Sequence, residues 1–169
     1  MRALVLTLDS LERGIIAVLA GAALILACNA MVSRYLLPGL ALDWTFEVIT
    51  FLVIWGVFLA AARLVTVGGH IRIDIVLIRL GSAARRRMEL FAAVLALAVA
   101  VLLLVSGALV VSEAVRWGET TSSTLRIPLW IYYLSLPVGA ALMALRLAAR
   151  IAGLATGTVY DSVAGQEAT

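Results

Sequence analysis

The chain has no lysine, one cysteine and one histidine. With Cys28 alone, an internal disulfide and a cysteine-based metal cage are both excluded. With His70 alone, a haem held by two histidines of this chain is excluded, because each axial position needs its own imidazole. Charge is scarce as well. Asp, Glu, Lys and Arg make up 14% of the 169 residues, against about a quarter in a soluble domain. No G-x-G-x-x-G, Walker or H-E-x-x-H pattern occurs. No Ser/His/Asp set has a plausible location. We therefore expect no catalytic residues, no cofactor and no metal.

What the chain does have is apolar surface. Hydrophobic residues make up 64% of it, and its mean hydropathy is +1.11. A chain this small has too little interior to hide that much apolar side chain from water. Lipid must cover the rest. The 13 arginines and 10 acids leave a formal charge of +3. That excess does not indicate nucleic acid, because the arginines cluster at the ends of apolar runs, where they fix membrane topology.

A bilayer core of about 30 Å needs roughly 20 apolar residues in a helix. Four segments qualify: about Gly14 to Val32, about Trp44 to Arg63 or Val67, about Leu90 to Val111, and about Pro128 to Leu147. Arg2 and Arg13 precede the first, and Ile25-Leu26-Ala27-Cys28 loosely resembles a lipoprotein cleavage box. Leu26 fits that box poorly and the stretch is long enough to span, so we read a retained helix. Pro128 suits a first helical turn. Pro137 falls inside the last span, where it should free the carbonyl of Tyr133 and kink the helix. Ala17 and Gly21 form a small-residue pair that would allow close helix approach. Cys28 reads as a small apolar packing residue.

Ten arginines (2, 13, 63, 72, 79, 85, 86, 87, 146 and 150) fall on one side of this four-span topology and three (34, 116 and 126) on the other. The bias places both termini in the cytoplasm. Trp44, Trp117, Trp130, Tyr35, Tyr132 and Tyr133 fall near the outer ends of spans, where aromatic rings settle at the headgroups.

The connection from Gly69 to Leu80, followed by Arg85-Arg86-Arg87, is too apolar for a plain loop and too short to span. It fits a short amphipathic helix lying in the cytoplasmic interface, with its arginines on anionic lipid heads. A helix buried against the ends of the spans fits equally, and the Ile-x-Ile alternation leaves a strand open. The fold class is thus an all-α integral membrane protein with four transmembrane helices plus that interfacial helix. Residues 1–155 form the membrane domain, and 156–169 a short cytoplasmic tail expected to be disordered.

An ionisable group inside a span is a functional suspect, because lipid penalises it. The first, third and fourth spans carry none in their middle thirds, so a self-sufficient ion-coupled carrier is not indicated. Glu47 lies about one turn into the second span. It is read as facing a partner or water, with a snorkelling rim residue or an ion-coupling site as alternatives. Trp44, Glu47, Phe51, Trp55 and Phe58 recur at steps of three and four and share one helix face. That stripe suits a docking ridge for another membrane subunit; lipid-facing aromatics and packing within the bundle are the alternatives. His70 and Asp74 stand four apart and would pair on one helix face.

Three stretches carry a family resemblance. The second span reads Trp44-Thr45-Phe46-Glu47 and then Phe51 to Ala61 through Trp55-Gly56. Its exit reads Gly69-His70-Ile71-Arg72-Ile73-Asp74. The fourth span opens Leu125-Arg126-Ile127-Pro128-Leu129-Trp130-Ile131-Tyr132-Tyr133 and continues Leu136-Pro137-Val138-Gly139. In order and spacing, over about residues 10–150, this resembles the small membrane subunit of tripartite ATP-independent periplasmic (TRAP) transporters. Phe46 departs from the pattern, since many members carry a second acid there.

The resemblance implies a large membrane subunit that carries substrate and sodium sites, and a periplasmic binding protein that delivers an organic acid. This chain would then be a scaffold in a bacterial inner membrane, with membrane lipids as its other partners. The candidate partner-interface residues are Trp44, Glu47, Phe51, Trp55, Phe58, His70, Asp74, Arg126, Pro128 and Trp130. An autonomous four-helix exporter is the rival, but it would use a mid-span Glu that the first span lacks. A structural accessory of another membrane complex is a third option.

Overall fold

The structure, a computed structural model, describes residues 2–36, 42–67 and 82–156. The connection around His70 and Asp74 and the tail beyond 156 lie outside the described residues.

Apolar runs without internal charge give long helices. They are α1 (Arg2–Leu36), α2 (Thr45–Val67), α3 (Ser82–Trp117), the short α4 (Leu129–Tyr133) and α5 (Ser135–Thr156). Four spans follow: Ser10–Leu36, Thr45–Val65, Arg87–Trp117 and the pair α4–α5 over Leu129–Leu154. The first, third and fourth helices extend beyond the apolar runs that mark them in sequence. Once the apolar centre is helical, each flanking residue adds a hydrogen bond at little further entropic cost.

The helix ends have local causes. Thr45 starts α2 with its hydroxyl on the Leu42 carbonyl at 3.2 Å, and Glu47 places an acid in the first turn, where the helix dipole favours it. α3 stops at Gly118, whose φ is +62°. The Gly118 amide bonds back to Val115 at 3.2 Å and the Glu119 amide to Ala114 at 3.1 Å. This is the paired C-terminal bonding that a left-handed glycine permits. Pro128 stands at the N-cap of α4 in an extended conformation, immediately before the helix.

The last span is interrupted close to where the kink was expected: α4 and α5 are divided at Leu134, although Leu134 keeps helical dihedrals of −61° and −25°, its amide bonds the Trp130 carbonyl at 2.9 Å and its carbonyl accepts from the Val138 amide at 3.1 Å. Pro137 has no N–H to offer the Tyr133 carbonyl.

α1 packs on α2, α2 on α5, and α5 on α3. The interrupted last span is therefore central, and α1 and α3 stand at the two ends of the row. Val65, Ala100 and Leu147 form the core where α2, α3 and α5 meet, with Ala96, Leu97, Met143 and Ala144 against it. Small residues dominate because helices in lipid associate by close backbone approach. Two glycines allow that approach. A Cβ on Gly139 would stand 2.8 Å from Phe58 Cβ, and one on Gly107 would stand 2.9 Å from Pro137 Cδ.

Two sequence expectations are corrected here. Ala17 is exposed and nothing lies within 4 Å of a Cβ on Gly21, so that pair makes no close approach within the chain. Cys28 is exposed rather than packed. All three residues lie on α1, whose only extensive neighbour among the described residues is α2, so most of its circumference faces outward.

Candidate functional site

The aromatic stripe of α2 forms as one face, and its lower members turn toward the last span. The Trp55 indole N–H donates to the Ile131 carbonyl at 3.1 Å. Phe51 meets Tyr132 with ring centroids 5.2 Å apart, and Tyr132 meets Tyr133 edge-on at 5.5 Å. Phe58 lies against Gly139. Aromatic pairs of this geometry contribute about 0.5–1.5 kcal/mol beyond their buried area. These contacts follow the bundle-packing reading of the stripe, since Phe51, Trp55 and Phe58 brace α2 against α4 and α5. Trp44 is half-buried and Trp130 is at the edge of exposure.

Glu47 caps the stripe at the end of the bundle where α2 begins. Its carboxylate accepts from the Ser123 hydroxyl at 2.5 Å. One turn earlier, Asp43 accepts from Thr124 twice, from the amide at 3.1 Å and from the hydroxyl. The Thr124 hydroxyl and amide hold the Asp43 carboxyl below the usual carboxylate range. Two acids four residues apart, Asp43 just before α2 and Glu47 in its first turn, thus hold a Ser-Thr pair of the 118–128 connection. Sequence reasoning placed Glu47 at a partner or at water and passed over Asp43, Ser123 and Thr124. The available signal was the hydroxyl run Ser122-Ser123-Thr124, which can satisfy carboxylates across a loop.

The connection is itself an ordered hairpin. The Thr121 amide bonds the Ile127 carbonyl at 2.9 Å, and the Leu129 amide bonds the Glu119 carbonyl at 2.9 Å. The Ile127 amide returns to the Thr121 hydroxyl at 3.0 Å. Thr120 and Pro128 pair as an antiparallel bridge. Arg126 sits at φ +44°, with its amide on the Ser123 carbonyl at 3.2 Å.

At the opposite end of the bundle, Arg146 of α5 forms an ion pair with Glu12 of α1, and each side chain is only 17% exposed. The Arg146 Nη1 is buried without a hydrogen-bond acceptor. The pair ties α1 to the last span across α2. Neither residue figured among the sequence candidates. His70 and Asp74 lie outside the described residues.

The centre of the chain offers little chemistry. A half-open groove of about 230 Å³ beside the break between α4 and α5 is lined by Ile54, Phe58, Gly107, Tyr132, Tyr133 and Leu136, among others. Among the described residues, no group of three His, Cys, Asp or Glu could hold a metal. The described Asp, Glu and Arg side chains leave the stretches between Arg13 and Arg34, Glu47 and Arg63, Glu89 and Glu113, and Arg126 and Arg146 without charge.

The sequence profile of the family described as tripartite ATP-independent periplasmic transporters, DctQ component, matches residues 16–157. The chain is similar to the C4-dicarboxylate TRAP transporter small permease protein DctQ of Rhodobacter capsulatus. The two are 31% identical over 110 residues, which cover 65% of this chain and 48% of that protein. The chain spans about half the length of that curated relative.

Proposed function

The chain belongs to the DctQ-component family of tripartite ATP-independent periplasmic transporters, and on that premise we propose that it is the static scaffold for a large transport subunit in sodium-driven organic-acid uptake. As a small permease component it is a multi-pass membrane protein and not an enzyme. The substrate in this proposal is a C4-dicarboxylate or a chemically similar acid, taken from the name of the Rhodobacter relative. A periplasmic binding protein delivers it, and the large subunit holds the substrate and sodium sites.

One observation carries the proposal: the interior is occupied by packing. Between Arg13 and Arg34, Glu47 and Arg63, Glu89 and Glu113, and Arg126 and Arg146, the spans hold no Asp, Glu, His or Arg. A coupled carrier needs such groups where its cargo crosses. What fills the centre instead is the interrupted last span, locked by Trp55, by the aromatic rings of Phe51 and Tyr132, and by glycine contacts. In this proposal the stripe from Trp44 to Phe58 serves the partner by fixing four spans as one unit. The apolar outer faces of α1 and α3 remain for the large subunit and for lipid. The hairpin end faces the periplasm and both termini face the cytoplasm, which the arginine distribution supports.

Co-purification tests the partnership. A tagged chain extracted from membranes that contain the large subunit should retain it at one-to-one stoichiometry. Recovery of this chain without the large subunit, under conditions that keep both folded, would contradict the proposal.

A further inference from the structure

Asn29 is the chain's only asparagine, and it is exposed on α1. We propose that Asn29 and the apolar face around it pair two copies of this chain side by side in the membrane. The pairing goes beyond the scaffold reading and does not depend on it.

Depth is the first support. The first span runs from Ser10 to Leu36, so Asn29 lies about 9 Å beyond its midpoint at Ala23. A hydrocarbon core of about 30 Å reaches about 15 Å each way. The carboxamide is therefore inside the hydrocarbon, where acyl chains offer no hydrogen-bond acceptor. Half-buried Ser33, one turn on, donates to its Oδ1 at 3.4 Å. The two N–H groups of the carboxamide have no acceptor among the described residues. Side-chain amides at such depth find their partners on neighbouring helices.

The face around Asn29 is the second support. Val18, Ala22, Ile25, Asn29, Val32 and Leu36 recur at steps of three and four, and none is buried. They form a heptad seam with Asn29 at an a position, where one polar residue fixes register. Arg13 and Arg34 both fall at f, on the far side of α1. Two copies packed on this seam bring no like charges together.

A second copy fits better than another helix because of orientation. Copies of one chain insert the same way round, so their α1 helices run parallel and their Asn29 residues share one depth. Each carboxamide then donates an N–H to the other's oxygen, which has a lone pair left beside Ser33. Any other helix must carry an acceptor at that depth by its own sequence. α1 stands at the end of the row with α2 as its extensive neighbour, so a copy displaces no described helix. The contact is two-fold and closed. It leaves the outer face of α3 for the large subunit.

The test uses the complete transporter in its native membrane, with Cys28→Ala as background. Ile25→Cys puts a thiol on the seam. Leu24→Cys puts one on a similarly exposed face about 100° away. Mild oxidation should join two copies carrying Ile25→Cys and leave copies carrying Leu24→Cys single. Asn29→Leu keeps the seam apolar and removes two reciprocal hydrogen bonds. It should raise the dissociation constant of the pair about tenfold, about 1.4 kcal/mol, read by energy transfer between labelled copies as lipid is added.

If both cysteines join copies alike, or neither does, the paired seam is refuted. An unchanged dissociation constant with Asn29→Leu refutes the amide contact that defines it. If Ile25→Cys joins the large subunit instead, the face belongs to that partner; the pairing falls and the scaffold reading stands. Co-purification of the large subunit succeeds or fails independently of all three outcomes.

Discussion

Gly139→Ala is the smallest change that should disturb the whole bundle. The new Cβ would lie 2.8 Å from Phe58 Cβ, 3.0 Å from the Phe58 carbonyl oxygen and 3.2 Å from its carbonyl carbon. Carbon atoms rest at about 3.5–4.0 Å, so α2 and α5 must part by about 1 Å at this level. The obstructing atoms are backbone and Cβ, which no rotamer change can move aside. Overpacking of this kind costs about 1–3 kcal/mol. A radial gap of about 1 Å also weakens the dispersion contacts nearby by up to about half. Against this, alanine gains about 0.5–1 kcal/mol over glycine within a helix. The net loss should be about 1–2 kcal/mol, combining these terms. Gly21→Ala is the matched control, because nothing lies within 4 Å of its added Cβ. It should be neutral or slightly stabilising. Reversible unfolding of the purified chain in detergent micelles, with both variants in parallel, gives the comparison. Equal stability of the two variants would refute the placement of α2 against α5, and with it the rigid centre of the bundle.

Three further outcomes follow from single contacts. Trp55→Phe keeps the ring but leaves the Ile131 carbonyl without its indole donor, and should cost about 1–3 kcal/mol, read by the same unfolding assay. Glu12→Ala leaves Arg146 buried without its carboxylate. It should cost about 3 kcal/mol and free the start of α1, visible as faster amide exchange there, whereas a surface pair would cost almost nothing. The Asp43 carboxyl is depressed in the folded chain. Its contribution is therefore complete above the unfolded carboxylate value of about 3.9 and is lost as pH falls through the lower folded value. Hairpin amide exchange should be flat from neutral pH to about 5 and should accelerate, beyond the intrinsic trend, only below about 4. Asp43→Asn should remove that acid-induced change.

The spans were legible because lipid imposes a length and an apolar composition that few other folds share. The interruption of the last span was legible because Pro137 lacks a donor wherever it sits. The stripe was legible as a face, since helical spacing alone places Phe51, Trp55 and Phe58 together, but its direction was not. Lipid and protein are equally apolar neighbours, so composition cannot say which of them a helix face meets. The neighbour order of the helices, with the last span between α2 and α3, depends on glycines at 107 and 139 that look like any others in sequence. Glu47 was visible as an ionisable group, yet its partner Ser123 lies 76 positions away, in a connection that reads as a plain loop. The Glu12–Arg146 pair was hidden for the same reason, since each residue alone resembles a rim charge. The family was legible because its residues recur in a fixed order along nearly the whole chain.

The central claim is that this chain organises transport and does not perform it. The direct measurement is sodium-gradient-driven uptake of a labelled C4-dicarboxylate into liposomes, with each component omitted in turn. Uptake should require the large subunit, this chain and the binding protein together, and liposomes holding this chain alone should stay at background. Sodium-dependent accumulation with this chain as the sole membrane protein would contradict the account.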